Sequence, residues 1–228
     1  MTSGETKAQR ARPVVIFGAG NQGGLLHDCL EGDERWRPVA FVDEGKAGQT
    51  LHGLPILGLD QFDPAMTRDA FMAIGFPAER RRFVAGVESL KLNWQTFIDR
   101  RSMVSPRARL GHGCLVLSFA MVSSNVTIGS FCYVSSYSRV GAGSVVGDFT
   151  SLMAGSAAGH CVIGNDCIMG VNSSCTEGAD LGDDVTVAPY TWVKRKVPSG
   201  SLVTGSPARV FRKPSAQTLP TEAEAKGA

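Results

Sequence analysis

The chain has 228 residues, enough for one large domain or two modest ones, and 43% of them are hydrophobic, ample for a packed core. A formal net charge of +2 is too small to attract nucleic acid or a membrane surface through long-range electrostatics. The opening MTSGETKAQRARP has no apolar signal-type stretch, and no apolar run approaches the roughly 20 residues that span a bilayer. A cytoplasmic protein with no membrane span and no nucleic-acid partner is the expectation.

Residues 1–12 are polar and read as a disordered tail. VVIFGAG, Val14 to Gly20, is an apolar strand run into Gly18-x-Gly20-x-x-Gly23, followed by a helix over LLHDCLEG and a second strand, PVAFVDE, ending at Asp43-Glu44. Strand, glycine turn, helix and strand make a βαβ unit. Asp43 stands 20 residues past Gly23, where a dinucleotide fingerprint places its ribose-binding acid. Only one further apolar strand, AFMAIG at 70–75, follows before the pattern changes. A full dinucleotide fold needs two βαβαβ halves, so residues 13–99 read as a small Rossmann-like domain with room for one nucleotide, and NAD redox chemistry ranks below nucleotide-sugar binding.

From Val104 a different rhythm takes over. Stepping six residues gives Val104, Leu110, Val116, Val122, Ile128, Val134, Val140, Val146, Leu152 and Ala158; one step of five reaches Ile163, and sixes resume through Met169, Cys175, Leu181, Val187 and Val193. Six matches neither the helical period of 3.6 nor the strand period of 2. It matches a strand-plus-corner unit, three to a triangular coil, with each aliphatic residue plugging an interior column. Two residues before each plug, from Cys114 to Thr191, every residue is small or β-branched, as a cramped interior corner requires. Glycine after many plugs is expected to supply backbone freedom at the turns.

Of the six cysteines, Cys114, Cys132, Cys161 and Cys167 fall in this small column, Cys175 is a plug, and Cys29 lies in the first domain. No metal-ligand spacing appears, so they read as reduced packing residues and no metal is expected.

The repeat resembles that of the hexapeptide-repeat acyltransferases, whose domain is an all-β left-handed parallel β-helix, and VTGSPARVF, Val203 to Phe211, is similar to the family's closing Gly-x-Pro-Ala turn. That sets a second domain at 100–213 and a disordered tail at 214–228. With a small glycine-turn domain in front, the chain resembles the bacterial sugar acetyltransferases of the NeuD/PglD type, comprising sialic acid O-acetyltransferases and N-acetyltransferases of nucleotide-linked 4-amino-4,6-dideoxy sugars. Their first domain carries GAGGHG or GASGHG, an Asp at the second strand end, and Ile-Gly with a downstream Arg; this chain has GAGNQG, Asp43, Ile74-Gly75 and Arg80. The resemblance implies that Gly18, Gly20, Gly23, Asp43, Gly75 and Arg80 bind the nucleotide, and that active sites lie between subunits of a homotrimer.

It also implies a catalytic base. In the family a histidine follows a plug by two residues, flanked by acids, and accepts a proton from the attacking amine or hydroxyl. His160 follows the plug Ala158 by two and precedes Cys-Val-Ile-Gly, but Gly159 replaces the acid before it and the acid after it is deleted. Met153 and Ile168 stand where relatives often have an Asn and a second histidine. Glu177, Asp180 or a neighbouring subunit could supply the missing partner. His112, His27 and His52 lie away from the expected site. The basic run Lys194, Arg195, Lys196 reads as a solvated edge or, by the resemblance, as cations for acyl-CoA phosphates. The implied function is acetyl-CoA-dependent transfer to a nucleotide-linked amino sugar in surface-polysaccharide biosynthesis. O-acetylation of sialic acid or a related sugar is the alternative within the class, and a catalytically dead nucleotide-sugar scaffold the alternative outside it.

Overall fold

The computed structural model describes residues 11–213; the tails expected at 1–12 and 214–228 lie outside that range except for Ala11 and Arg12. Arg12 opens β1 (Arg12–Phe17), whose run to Phe17 is fully buried from Val14 onward. Next come α1 (Asn21–Leu30), β2 (Trp36–Val42), β3 (Thr50–Leu51), β4 (Leu54–Leu57), β5 (Asp69–Met72), α2 (Pro77–Gly86) and β6 (Asn93–Trp94). They form a six-stranded sheet ordered β3-β4-β2-β1-β5-β6, parallel apart from β3. The sheet holds more strands than sequence suggests, because β3, β4 and β6 are too short to show a period. α1 also starts earlier than the apolar LLHDCL run, since Gly20 caps it directly after the glycine turn.

The second domain begins at Phe97–Ile98, which pairs with Leu115–Val116, three residues before the start read from the rhythm. From there, two-residue strands stack in parallel on three faces. The first face runs from Phe97–Ile98 to Thr186–Val187 and closes with Ser201–Thr204; the second runs from Met103–Val104 to Trp192–Val193; the third from Arg109–Leu110 to Lys196–Val197. Every plug from Val116 to Val193 is 2% exposed or less, and each full burial of such a side chain is worth about 1.5–3 kcal/mol. The small column from Cys114 to Thr191 is buried as well, and most of its hydroxyls bond to carbonyls, as Ser144 Oγ does to Ala158 O (3.3 Å). All six cysteines are free and buried.

Two expectations about the coils change. The plug column does not end at Val193: it slips again and continues to Val197, then Val203. The glycines after plugs serve closeness rather than freedom. A Cβ at Gly129 would lie 2.7 Å from Asp148 N, and one at Gly147 2.7 Å from Asn165 N, on the coil above. Left-handed backbone falls instead two residues later, on Phe119, Asn125, Phe131, Tyr137, Phe149, Asp166, Asn172, Asp184 and Tyr190, and one residue later on His160, with φ between +50° and +62°. The last turn, Gly205-Ser206-Pro207-Ala208, joins Ser201–Thr204 to the antiparallel Arg209–Arg212.

The first domain packs on the first face of the β-helix. Phe97, Leu115, Leu117 and Tyr133 share a core with Val14, Ile16, Leu26 and Phe71, and Cys29 Sγ meets Ser118 Oγ at 3.6 Å. Among the described residues, no helix is long and apolar enough to cross a membrane.

Candidate active site

Two separate features carry chemistry. The first is a cleft of 580 Å³ at the C-terminal ends of β1, β2 and β5, lined by Gly18, Gly20, Gln22, Asp43 and Gly75 with Glu44, Leu59, Glu79, Arg82 and Phe83. It lies where an α/β sheet places ligands. Gly20 N-caps α1 without a side-chain cap, and no acid occupies the helix's first turn, so its leading N–H groups and the positive end of the dipole are left for an anion. Asp43 braces the turn. Its Oδ2 accepts from Ala19 N–H (2.9 Å) and its Oδ1 from Gly45 N–H (3.1 Å), while Lys46 Nζ donates to Ala19 O (2.8 Å). Each carboxylate oxygen thus has further accepting capacity, and Asp43 lines the cleft.

Two expected cleft residues stand elsewhere. Gly23 is buried behind the turn, where a Cβ would collide with Gly18 O; it lets α1 seat against the turn and does not line the cleft. Arg80 is 1% exposed, and its guanidinium points away from the cleft, into the boundary between the domains. Burial pushes it down to about 10, so it stays charged at neutral pH. The cleft's own arginine is Arg82. The signal was present in α2: Glu79, Arg82, Phe83 and Gly86 recur at helical spacing and line the cleft together, whereas Arg80 and Arg81 face the β-helix.

The second feature is His160, exposed at the corner between the second and third faces. Elsewhere the left-handed residue follows its plug by three; here the deletion brings it to two and makes His160 itself the corner, at φ +50°. That conformation costs a side-chain-bearing residue roughly 1–2 kcal/mol. The next residue down the corner is Gly143 (φ +71°), where a Cβ would lie 3.0 Å from His160 Nδ1. With no Cβ there, the ring folds over Gly143 and Nδ1 meets Ala142 O at 3.0 Å. A carbonyl only accepts, so Nδ1 carries the proton and Nε2 keeps its lone pair. The orienting role expected of an acid is thus filled by backbone. Asp180 is instead paired with Lys196 (3.3 Å).

The basic run disperses. Lys194 lies over the Trp192 ring (5.1 Å), Arg195 donates to Ala208 O (3.0 Å), and Lys196 pairs with Asp180. His112 is an exposed corner bonded to Ser130 Oγ (3.1 Å).

In the first domain, His27, Asp28 and His52 bring possible ligand atoms within 4.8 Å of one another. The two rings stack 4.7 Å apart at 5°, so an ion in the plane of one ring's lone pair would lie out of the plane of the other's. Burial first, and the neighbouring His52 second, hold the His27 imidazole below its ordinary 6.5. A lowered folded value means the unfolded chain binds the proton more readily, so the contribution is present above about 6.5 and lost as pH falls through the lowered value. The thermal midpoint is expected to drop between pH 7 and pH 5, with a shallower drop in His27→Asn; equal slopes in melting curves across pH would remove His27 as the cause.

A family model of the PglD N-terminal domain matches residues 13–87. The acetyltransferase domain of PglB from Neisseria gonorrhoeae FA1090, in complex with acetyl coenzyme A, superposes with a TM-score of 0.81 at 23% identity, covering 88% of this chain and 100% of that one. A mutant of GDP-perosamine N-acetyl transferase from Caulobacter crescentus, in complex with CoA and GDP-perosamine, gives a TM-score of 0.65 at 25% identity, covering 88% of this chain and 97% of that one. Residues 13–87 thus group with the PglD N-terminal domains, and the chain as a whole has the fold of these acetyltransferases. Set against the GAGGHG pattern, the GAGNQG turn has Gln22 where that pattern has histidine, and Gln22 Oε1 accepts from Tyr133 OH on the first face. The carnitine operon protein CaiE of Salmonella agona (strain SL483) is 39% identical over 61 residues, 26% of this chain and 31% of that protein. The match thus spans about a third of that curated relative.

Proposed function

We propose that the chain transfers an acetyl group from acetyl-CoA to the amine of a nucleotide-linked amino sugar of the 4-amino-4,6-dideoxy type, as a homotrimer, in cytoplasmic steps of surface-polysaccharide synthesis. The observation that carries the reading is the hydrogen bond from His160 Nδ1 to Ala142 O, which leaves Nε2 as a base although both flanking acids are gone. In this reading the nucleotide sits in the 580 Å³ cleft, its phosphates at the N-terminus of α1 and its ribose at Asp43. Nε2 takes a proton from the sugar ammonium. The freed amine adds to the thioester carbonyl, the adduct's positively charged nitrogen gives its second proton to solvent, and collapse of the tetrahedral adduct expels the CoA thiolate, which recovers the first proton from His160. The likeness to the GDP-perosamine enzyme, at 25% identity over 88% of the chain, supports an amine acceptor and a coenzyme A donor. An amine needs only deprotonation, whereas a hydroxyl depends more on a base held by a negative partner, which favours N- over O-acetylation.

Topology supports the oligomer. His160 occupies the corner that does not border the face covered by the first domain, so a cleft reaching it belongs to a neighbouring copy. Thermal unfolding with UDP-, GDP- and dTDP-linked sugars, NAD and acetyl-CoA tests the ligands. Stabilisation by one nucleotide sugar and by acetyl-CoA is expected, about 2.7 kcal/mol at a hundred times the dissociation constant. Stabilisation by NAD alone would sink the reading.

A further inference from the structure

We propose that Arg80, with Arg81 beside it, is a positioning residue for the transfer, holding the nucleotide cleft in register with the coil that carries His160. The proposal rests on the reading of cleft and histidine given above.

Arg80 bridges two walls. One terminal nitrogen donates to Ile74 O (2.6 Å) and Gly75 O (3.1 Å), both on the loop that lines the cleft. The other donates to Phe149 O (2.6 Å) and Ser151 Oγ (3.0 Å) on the β-helix, and Ser151 Oγ in turn donates to Gly75 O (2.9 Å). Phe149 and Ser151 open the coil that passes through His160 and comes round to Asp166. Arg81 takes hold of that coil's far end. Its Nε and one terminal nitrogen donate to the two Asp166 oxygens, each at 2.8 Å, and its guanidinium lies 4.1 Å over the Phe149 ring. Consecutive residues of α2 therefore grip the start and the finish of one coil, the one shortened by a residue.

Arg80 is costly for a merely structural part. It is a cation 1% exposed whose hydrogen-bond partners are carbonyls and a hydroxyl, and its Nε has no partner. Burying a cation with no carboxylate partner carries a desolvation penalty that its neutral acceptors only partly offset. What the planar fork supplies is fixed geometry across two walls at once, which a lysine's single nitrogen does not reproduce. Register matters because the substrate is held at its nucleotide and reacts at the far end of its sugar. A change of domain angle is magnified over that length, and a misplacement of about 1 Å can cost on the order of a hundredfold in rate. In the proposed trimer the histidine serving this cleft is a neighbouring copy's, and register is passed on to it because copies would pack through the rigid coil stack.

The test uses the full-length protein and two acceptors, the nucleotide-linked amino sugar and the same amino sugar without its nucleotide. Arg80→Lys is expected to lower kcat/KM for the linked sugar about tenfold to a hundredfold, mostly in kcat, with little change for the free sugar, which is not held by the cleft. Ser151→Ala and Arg81→Ala, milder changes that keep the answer open to test should Arg80→Lys fold poorly, are expected to shift the same ratio by a smaller factor. Parallel losses for both acceptors, or none for either, in variants with the parent's thermal midpoint would overturn the positioning role. A parent protein that acetylates neither acceptor would instead overturn the proposed function, and this proposal with it.

Discussion

Replacing His160 with alanine is expected to lower turnover about a hundredfold or more, the loss typical of a general base, with nucleotide-sugar and acetyl-CoA affinity nearly unchanged. The expectation comes from the polar contact that orients the ring, Nδ1 to Ala142 O at 3.0 Å, which presents Nε2 as acceptor. Gly143→Ala is a companion test that leaves the imidazole in the chain. Its Cβ would crowd Nδ1 and Cε1 at 3.0 and 3.1 Å, in a backbone with φ of +71°, so the ring must swing off the carbonyl and turnover should fall about tenfold or more. Should the amine arrive neutral, or lose its proton through water, both variants would cost only a few-fold and the pH profile would follow the substrate's own amine. Steady-state kinetics across pH, with each ligand's binding measured separately, distinguishes the outcomes. Unchanged turnover in a variant that binds both ligands would take His160 off the list of catalytic residues.

The second large effect is recovery of activity from two inactive chains. A Cβ at Gly20 meets nothing within 4 Å, and the backbone there (φ −83°) suits any residue. Gly20→Glu should therefore fold normally while filling the cleft and setting a negative charge where phosphates belong. Alone it is expected to be inactive, as is His160→Ala. Co-expressed in equal amounts and assayed as the whole random mixture of assemblies, the two should regain about a quarter of the parent activity, the fraction of neighbouring pairs in a random cyclic assembly that join a sound cleft to a sound histidine. Mixed oligomers without activity would place cleft and base on the same chain and overturn the shared site.

Much of this was legible because β-helix physics is written at fixed intervals. Plugs must be apolar and inner corners small wherever one coil stacks on the next, so the register from Val104 to Val193 could be counted. Val197 was missed because the corner before it is cut short by residues that look like surface, Arg195 and Lys196. The glycines after plugs showed their position but not their reason, since a clash with the next coil leaves no mark on the glycine's own dihedrals. At the cleft, the glycine turn and Asp43 stood out, while Arg80 was misplaced and Arg82 overlooked: in a run of three arginines only helical phase tells which one faces the ligand. The partner of His160 had no side-chain signal at all, because it is a carbonyl.

That last point bears on how the site can change over generations. A base steadied by glutamate or aspartate is lost with one nucleotide substitution in the partner's codon. Ala142 offers its oxygen whatever residue is encoded there, provided the corner keeps its shape. Point mutations at position 142 should therefore be tolerated far better than those at 143 or 160.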